Sequence, residues 1–169
     1  CVVMARKQGK SAIASAILEY ALYGDGEHGA RGFCVAPKLD QADIIYGTFW
    51  QSVSLDPELL AMSKHRKSDI YIADSNSSLK KIAFNAKKSD GFNPSVCVCD
   101  EFSSWVGDQG LKQYEVMKSA MGAREQPIML AISTAGYIND GIYDELIKRS
   151  TRFLLGDSKE TRLLPILYM

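Results

Sequence analysis

Three unbroken apolar runs in this chain each stop abruptly at residues that carry chemistry. Cys1-Val2-Val3-Met4 leads into Ala5-Arg6-Lys7-Gln8-Gly9-Lys10-Ser11, Ser95 to Cys99 into Asp100-Glu101, and Ile128 to Ile132 into Ser133-Thr134-Ala135-Gly136. A short continuous apolar run, as opposed to an alternating one, reads as a strand buried on both faces. Such strands belong to a parallel sheet with helices on both sides, whose carboxyl ends share one edge where ligands bind. The three polar segments are therefore expected to converge on that edge.

The stretches between these runs support the same architecture. Ser11 to Leu22 carries Ala12, Ile13, Ala16, Ile17, Tyr20 and Ala21 at helical spacing, and Gly24-Asp25-Gly26 ends it. Gly32 to Ala36 reads as a strand closed by Pro37, and Asp40 as the N-cap of a helix reaching Val53. Asp56-Pro57-Glu58 starts a shorter helix through Met62. Ile70 to Ala73 and Leu79 to Phe84 flank a polar turn and read as a small antiparallel strand pair. Helices are expected over Gln109 to Met121 and Asp140 to Phe153, and a last strand over Leu163 to Leu167. With 169 residues and no internal repeat, this is one α/β domain, 1–169.

The first polar segment has the makings of a phosphate-binding loop, in which inward-pointing backbone N–H groups are backed by a helix N-terminus. Gly9 allows close backbone approach, Lys10 suits the β- and γ-phosphates, and Ser11 offers a hydroxyl to Mg²⁺. The usual motif has glycine five residues before Gly9, where this chain has Met4. Arg6 can lean onto the phosphates or pair with an acid. At the second segment, Asp100 fits a direct or second-shell magnesium ligand and Glu101 a general base for the attacking water. Ser133-Thr134 would lie beside them, either touching the γ-phosphate or its water, or simply ending the strand in a turn at Gly136. Arg124, Lys87 and Lys88 fall at the opposite sheet edge, about 20 Å from their own nucleotide at some 3.3 Å per strand residue. There they are either surface charge or fingers reaching a neighbouring subunit.

Twenty basic and twenty acidic side chains leave no basic surplus for gripping nucleic acid. The local clusters Lys64-His65-Arg66-Lys67 and Lys80, Lys81, Lys87, Lys88 read as solvated surface before they read as DNA contacts. No run reaches the roughly 20 apolar residues of a membrane helix, and no signal peptide is present. The four cysteines fit no zinc spacing and are expected to be free thiols of a reducing compartment. Both ends read as cut, since Cys1 already opens a strand and the chain stops within an apolar run.

Ala5 to Ser11 resembles the deviant phosphate loop of tailed-phage terminase large subunits, in which the first glycine is typically absent. Asp40-Gln41-Ala42, Asp90-Gly91-Phe92-Asn93-Pro94-Ser95, Ala123-Arg124-Glu125-Gln126-Pro127 and Ser133 to Gly136 resemble that family in the same order. The resemblance implies a three-layer P-loop NTPase of the ASCE/RecA-like class and the ATPase domain of a motor that pumps viral double-stranded DNA into a procapsid. By it, Arg6 to Ser11 bind the nucleotide (ATP), Ser11 and Asp100 hold Mg²⁺, Glu101 is the catalytic carboxylate, and Ser133, Thr134, Ala135 and Gly136 form the coupling motif. It further implies the portal and small terminase subunit as partners of the full-length protein, a homo-oligomeric ring, and a place in the host cytoplasm, transiently at the portal. Nothing here corresponds to the family's C-terminal nuclease or to its upstream adenine-contacting segment. Some members carry a trans-acting arginine where this chain has Asp90. The isolated domain is accordingly expected to be a slow ATPase and a monomer. The alternatives are a helicase-like ATPase and a nucleotide-binding scaffold that does not hydrolyse. Phe102-Ser103 after Glu101, and Ser-Thr-Ala-Gly instead of Ser-Ala-Thr, speak against the first; an intact Glu101 speaks against the second.

Overall fold

The computed structural model describes residues 1–84, 91–136 and 141–168. Its centre is an eight-stranded sheet in the order β3-β4-β5-β2-β6-β7-β1-β8. The strands are β1 (Val2–Met4), β2 (Arg31–Ala36), β3 (Ser63–His65), β4 (Ile70–Ile72), β5 (Ser77–Ala83), β6 (Val96–Cys99), β7 (Ile128–Ser133) and β8 (Ile166–Tyr168). From β5 to β8 every pairing is parallel, with Cys34 opposite Val98, Val98 opposite Leu130, and Val2 opposite both Ile132 and Ile166.

Each central strand sends alternate residues into two cores. Cys34, Ala36, Val96, Val98, Leu130 and Ile132 pack under α1 (Lys10–Glu19) and α2 (Leu39–Leu55). Phe33, Val35, Cys97, Cys99 and Ala131 pack on the other face, under α4 (Gly107–Ala120) and α5 (Ile142–Leu154). The continuous apolar runs are thus strands covered on both sides. The result is a three-layer sandwich in which β1, β2, β6 and β7 end at the same edge. Cys34, Cys97 and Cys99 are buried free thiols, and burial pushes the Cys34 thiol well up.

Local chemistry explains where elements start. Pro57 opens α3 (Pro57–Met62), where its missing N–H is harmless, and Asp56 Oδ1 accepts from the N–H groups of Glu58 (2.9 Å) and Leu59 (3.1 Å). Asp40, expected as an N-cap, instead lies inside the first turn of α2, which begins after Lys38 without a side-chain cap. A carboxylate there still complements the helix dipole. The first helix runs only to Glu19 as α-helix and finishes as a π-turn over Tyr20–Gly24. The last strand is shorter than expected and begins after Pro165, which has no N–H to give a ladder. The expected start of α5 at Asp140 lies outside the described residues.

The antiparallel part is larger than expected. Besides β4 with β5, β3 pairs with β4, Lys64 standing opposite Tyr71. Ser63-Lys64-His65 has no apolar pattern, and a charged edge strand of three residues leaves no such trace in sequence. Asp56→Ala is expected to lower the unfolding free energy by about 0.5–2 kcal/mol, read as a shifted urea midpoint at unchanged slope.

Candidate functional site: a phosphate-loop cleft at the carboxyl edge of the sheet

The turn from β1 into α1 is held by its own lysine. Lys10 Nζ donates to the carbonyls of Met4 (3.1 Å) and Ala5 (3.0 Å) and so draws the loop into a ring. Lys7 and Gly9 take left-handed backbone conformations, at φ 63° and 81°. The space beside Gly9 is open, with no atom within 4 Å of where a Cβ would stand. Glycine is there for its backbone conformation, not for want of room.

Asp100 and Glu101 follow β6 directly. The Asp100 N–H donates to the Val35 carbonyl (2.9 Å), continuing the pairing of β6 with β2 by one residue. Its side chain is buried and accepts the Glu101 N–H at Oδ1 (2.8 Å). Burial pushes the Asp100 carboxyl from 3.8 up to about 6; the Glu101 N–H opposes this, the Glu101 charge adds to it and Lys10 subtracts from it. Glu101 is left-handed, at φ 47° and ψ 47°, which a residue with a Cβ occupies at a cost.

A cleft of about 300 Å³ gathers Arg6, Lys7, Gly9, Lys10, Ser11, Asp100, Glu101 and Thr134, together with Ala12 and Ile44. Three segments far apart in sequence thus meet at the carboxyl edge. Gln8, Ser133, Ala135 and Gly136 do not line it. Ser133 is buried and its Oγ accepts from the Ser103 N–H (2.9 Å). A Cβ on Gly136 would stand 2.4 Å from Ser103 Cβ, and the Gly136 N–H donates to the Tyr143 hydroxyl (3.3 Å). The two readings of Ser133-Thr134 divide between the residues, since Thr134 faces the cleft and Ser133 fastens the strand end. Ile44 gave no sequence signal, being one of several apolar residues on α2.

Arg124 lies at the opposite edge, as expected, but its guanidinium is engaged within its own chain. It donates to Glu27 Oε1 (2.6 Å), to the Gly29 carbonyl (3.3 Å), and to Asn93 Oδ1 and the Asn93 carbonyl (both 2.9 Å). It clasps the loops before β2, β6 and β7, a role for which sequence gave no hint. Lys87, Lys88 and Asp90 lie outside the described residues. A larger cavity, about 560 Å³, opens near Arg124 and Arg149. Both arginines there are paired, Arg149 with Glu160 (2.5 Å), and neither the phosphate loop nor Asp100-Glu101 lines it. The smaller cleft is the one with convergent chemistry.

Residues 1–152 match the family described as terminase large subunit, ATPase domain. The chain belongs to that family. The family is one of ATPases and implies nucleotide binding. Among solved structures, the HK97 bacteriophage large terminase superposes with a TM-score of 0.79 at 20% identity, over 99% of this chain and 34% of that one. The Thermus phage P74-26 large terminase ATPase domain gives 0.65 at 21% identity, over 86% and 62%. Both are likenesses of fold. Protein YmfN of Escherichia coli (strain K12) is 34% identical over 82 residues, 48% of this chain and 17% of YmfN. The terminase chain thus spans about a third of the HK97 protein and a sixth of YmfN. Among the described residues no helix is long and apolar enough to cross a membrane.

Arg124→Ala is expected to cost about 2–3 kcal/mol in denaturant unfolding, because it strands a half-buried Glu27, and to leave nucleotide affinity unchanged. A purely trans-acting arginine would give the reverse, unaltered monomer stability. Asp100 carries the second expectation. Its carboxyl releases its proton later in the folded state (about 6) than in the unfolded state (3.8). Its stabilising contribution is therefore full below pH 4 and lost as pH rises through 6. In magnesium-free buffer, Asp100→Asn should stabilise the protein by about 1–3 kcal/mol at pH 7.5, and the gap should close near pH 4.

Proposed function

We propose that this domain binds ATP with Mg²⁺ in the carboxyl-edge cleft and hydrolyses it to drive viral double-stranded DNA into a procapsid. The observation that carries the reading is the convergence of Lys10, Ser11, Asp100, Glu101 and Thr134 on one small cleft. Arg6 to Gly9 give the phosphates a loop that is already closed. The Lys10 ammonium, held on two carbonyls 3.0–3.1 Å away, can exchange them for β- and γ-phosphate oxygens.

The residues present suit Mg²⁺. The Ser11 hydroxyl and the Asp100 carboxylate are hard oxygen donors on the same cleft, and a buried carboxylate with a raised pKa gains most from a neighbouring cation. Among the described residues no three His, Cys, Asp or Glu side chains gather to hold a metal. Two protein oxygens supplemented by phosphate and water is how Mg²⁺ is commonly bound. When bound, the ion supplies charge neutralisation on the phosphate oxygens. Glu101 then orients a water for in-line attack at the γ-phosphorus and accepts its proton, while Lys10 balances the charge that develops on the leaving ADP. Thr134 touches the same cleft and is positioned to report the γ-phosphate to β7.

The assembled motor is proposed to be a homo-oligomeric ring working in the host cytoplasm on the portal, with the small terminase subunit delivering DNA. This domain has no basic surplus with which to grip DNA by itself. The test is ATP turnover by the full-length protein. Glu101→Gln should lower kcat at least about 100-fold with ATP affinity within about threefold, and Lys10→Ala should abolish binding. Turnover that survives Glu101→Gln removes Glu101 from its role.

A further inference from the structure

The peptide unit joining Asp100 to Glu101 is held at both of its polar atoms. Its N–H donates to Asp100 Oδ1 (2.8 Å), and its carbonyl oxygen, that of Asp100, accepts the indole N–H of Trp105 (2.9 Å). The next carbonyl, that of Glu101, accepts both the N–H of Ser104 (2.8 Å) and its hydroxyl (2.7 Å). One residue on, the Ser103 N–H is fastened to Ser133 Oγ on β7 (2.9 Å). Glu101 itself sits in the left-handed region at φ 47°. A non-glycine residue stays there only where its surroundings over-determine it. Freeing this peptide unit would let Glu101 leave the left-handed region, and the turn that carries its side chain would rearrange.

Among these anchors, Trp105 holds the carbonyl of the Asp100–Glu101 peptide, and its side chain is deeply enclosed. It is 1% exposed, lies edge-on to Phe84 with ring centroids 4.6 Å apart, and is tilted against Phe102 at 5.0 Å. A side chain so enclosed keeps its N–H in one place, whereas the Asp100 carboxylate is expected to be drawn on by a cation. We propose that Trp105 is a positioning residue for hydrolysis: its indole N–H bolts the Asp100–Glu101 peptide in the orientation that aims the Glu101 carboxylate into the cleft. Trp105 does not line the cleft itself. This rests on the reading of Glu101 as the general base.

Trp105→Phe keeps an aromatic ring and removes only the donor and part of the ring volume. In the full-length protein it should lower kcat about tenfold or more with KM for ATP within about twofold. By hydrogen exchange, residues 100–104 should exchange faster while β2 and β7 do not. Phe84→Leu makes a comparable loss of volume beside the same indole and should leave kcat within about twofold. In a Glu101→Gln background, Trp105→Phe should cause no further loss, as expected of residues acting through one another. Equal kcat losses for Trp105→Phe and Phe84→Leu would reduce the indole to core packing and overturn the proposal. So would unchanged exchange at 100–104. If Glu101→Gln is active while exchange at 100–104 still quickens in Trp105→Phe, the base assignment fails and the bolting of the peptide stands.

Discussion

A carboxylate is kept out of water at the point where the parallel strands run out. Asp100 is 6% exposed, and its carboxyl is displaced to about 6. Everything needed to keep it there is structural: β6 continues its pairing with β2 through the Asp100 N–H, the two cores seal β6 on both faces, and the turn after it folds back under Trp105. Electrostatic groups act most strongly in such an enclosed place. The expense of enclosing Asp100 falls on the ligand-free protein, and the proposed Mg²⁺ would reverse it. Fold and chemistry therefore meet in one residue.

The same edge collects the other reactive groups because a parallel sheet aligns its strand ends. Lys10 and Ser11 follow β1, Glu101 follows β6 and Thr134 follows β7. The opposite edge is organised differently. There Arg124 ties the loops before β2, β6 and β7 together through Glu27, Gly29 and Asn93. The loops at one edge are fastened to each other, so those at the other edge hang from strands that cannot slide.

Much of this was legible in the residues. The continuous apolar runs announced doubly covered strands, and the segments after them announced the cleft, because a strand's burial and a loop's chemistry are both written locally. What escaped reading depends on contacts between distant residues. Ser63 to His65 forms a strand only because β4 offers it an edge. Ser133 and Thr134 look equivalent in sequence, yet alternation along β7 sends the first into the Ser103 contact and leaves the second in the cleft. Arg124 read as a free cation because Glu27 and Asn93 are 97 and 31 residues away. Trp105 carried no signal in the sequence, since its indole partner is a backbone carbonyl.

The loop closed by Lys10 bears on how fast the domain lets go. On the proposed reading, an ammonium already bonded to Met4 and Ala5 would surrender two hydrogen bonds on turning to a phosphate and regain them when the phosphate leaves. Occupancy becomes a near-balanced exchange of partners, and part of the Coulombic grip is cancelled by what the empty loop already had. On the proposed reading, a loop built this way keeps its shape when empty and would hold ADP less tightly. In a motor of the kind proposed, which must discharge its spent nucleotide before the next stroke, that self-bonded resting state would shorten the dwell.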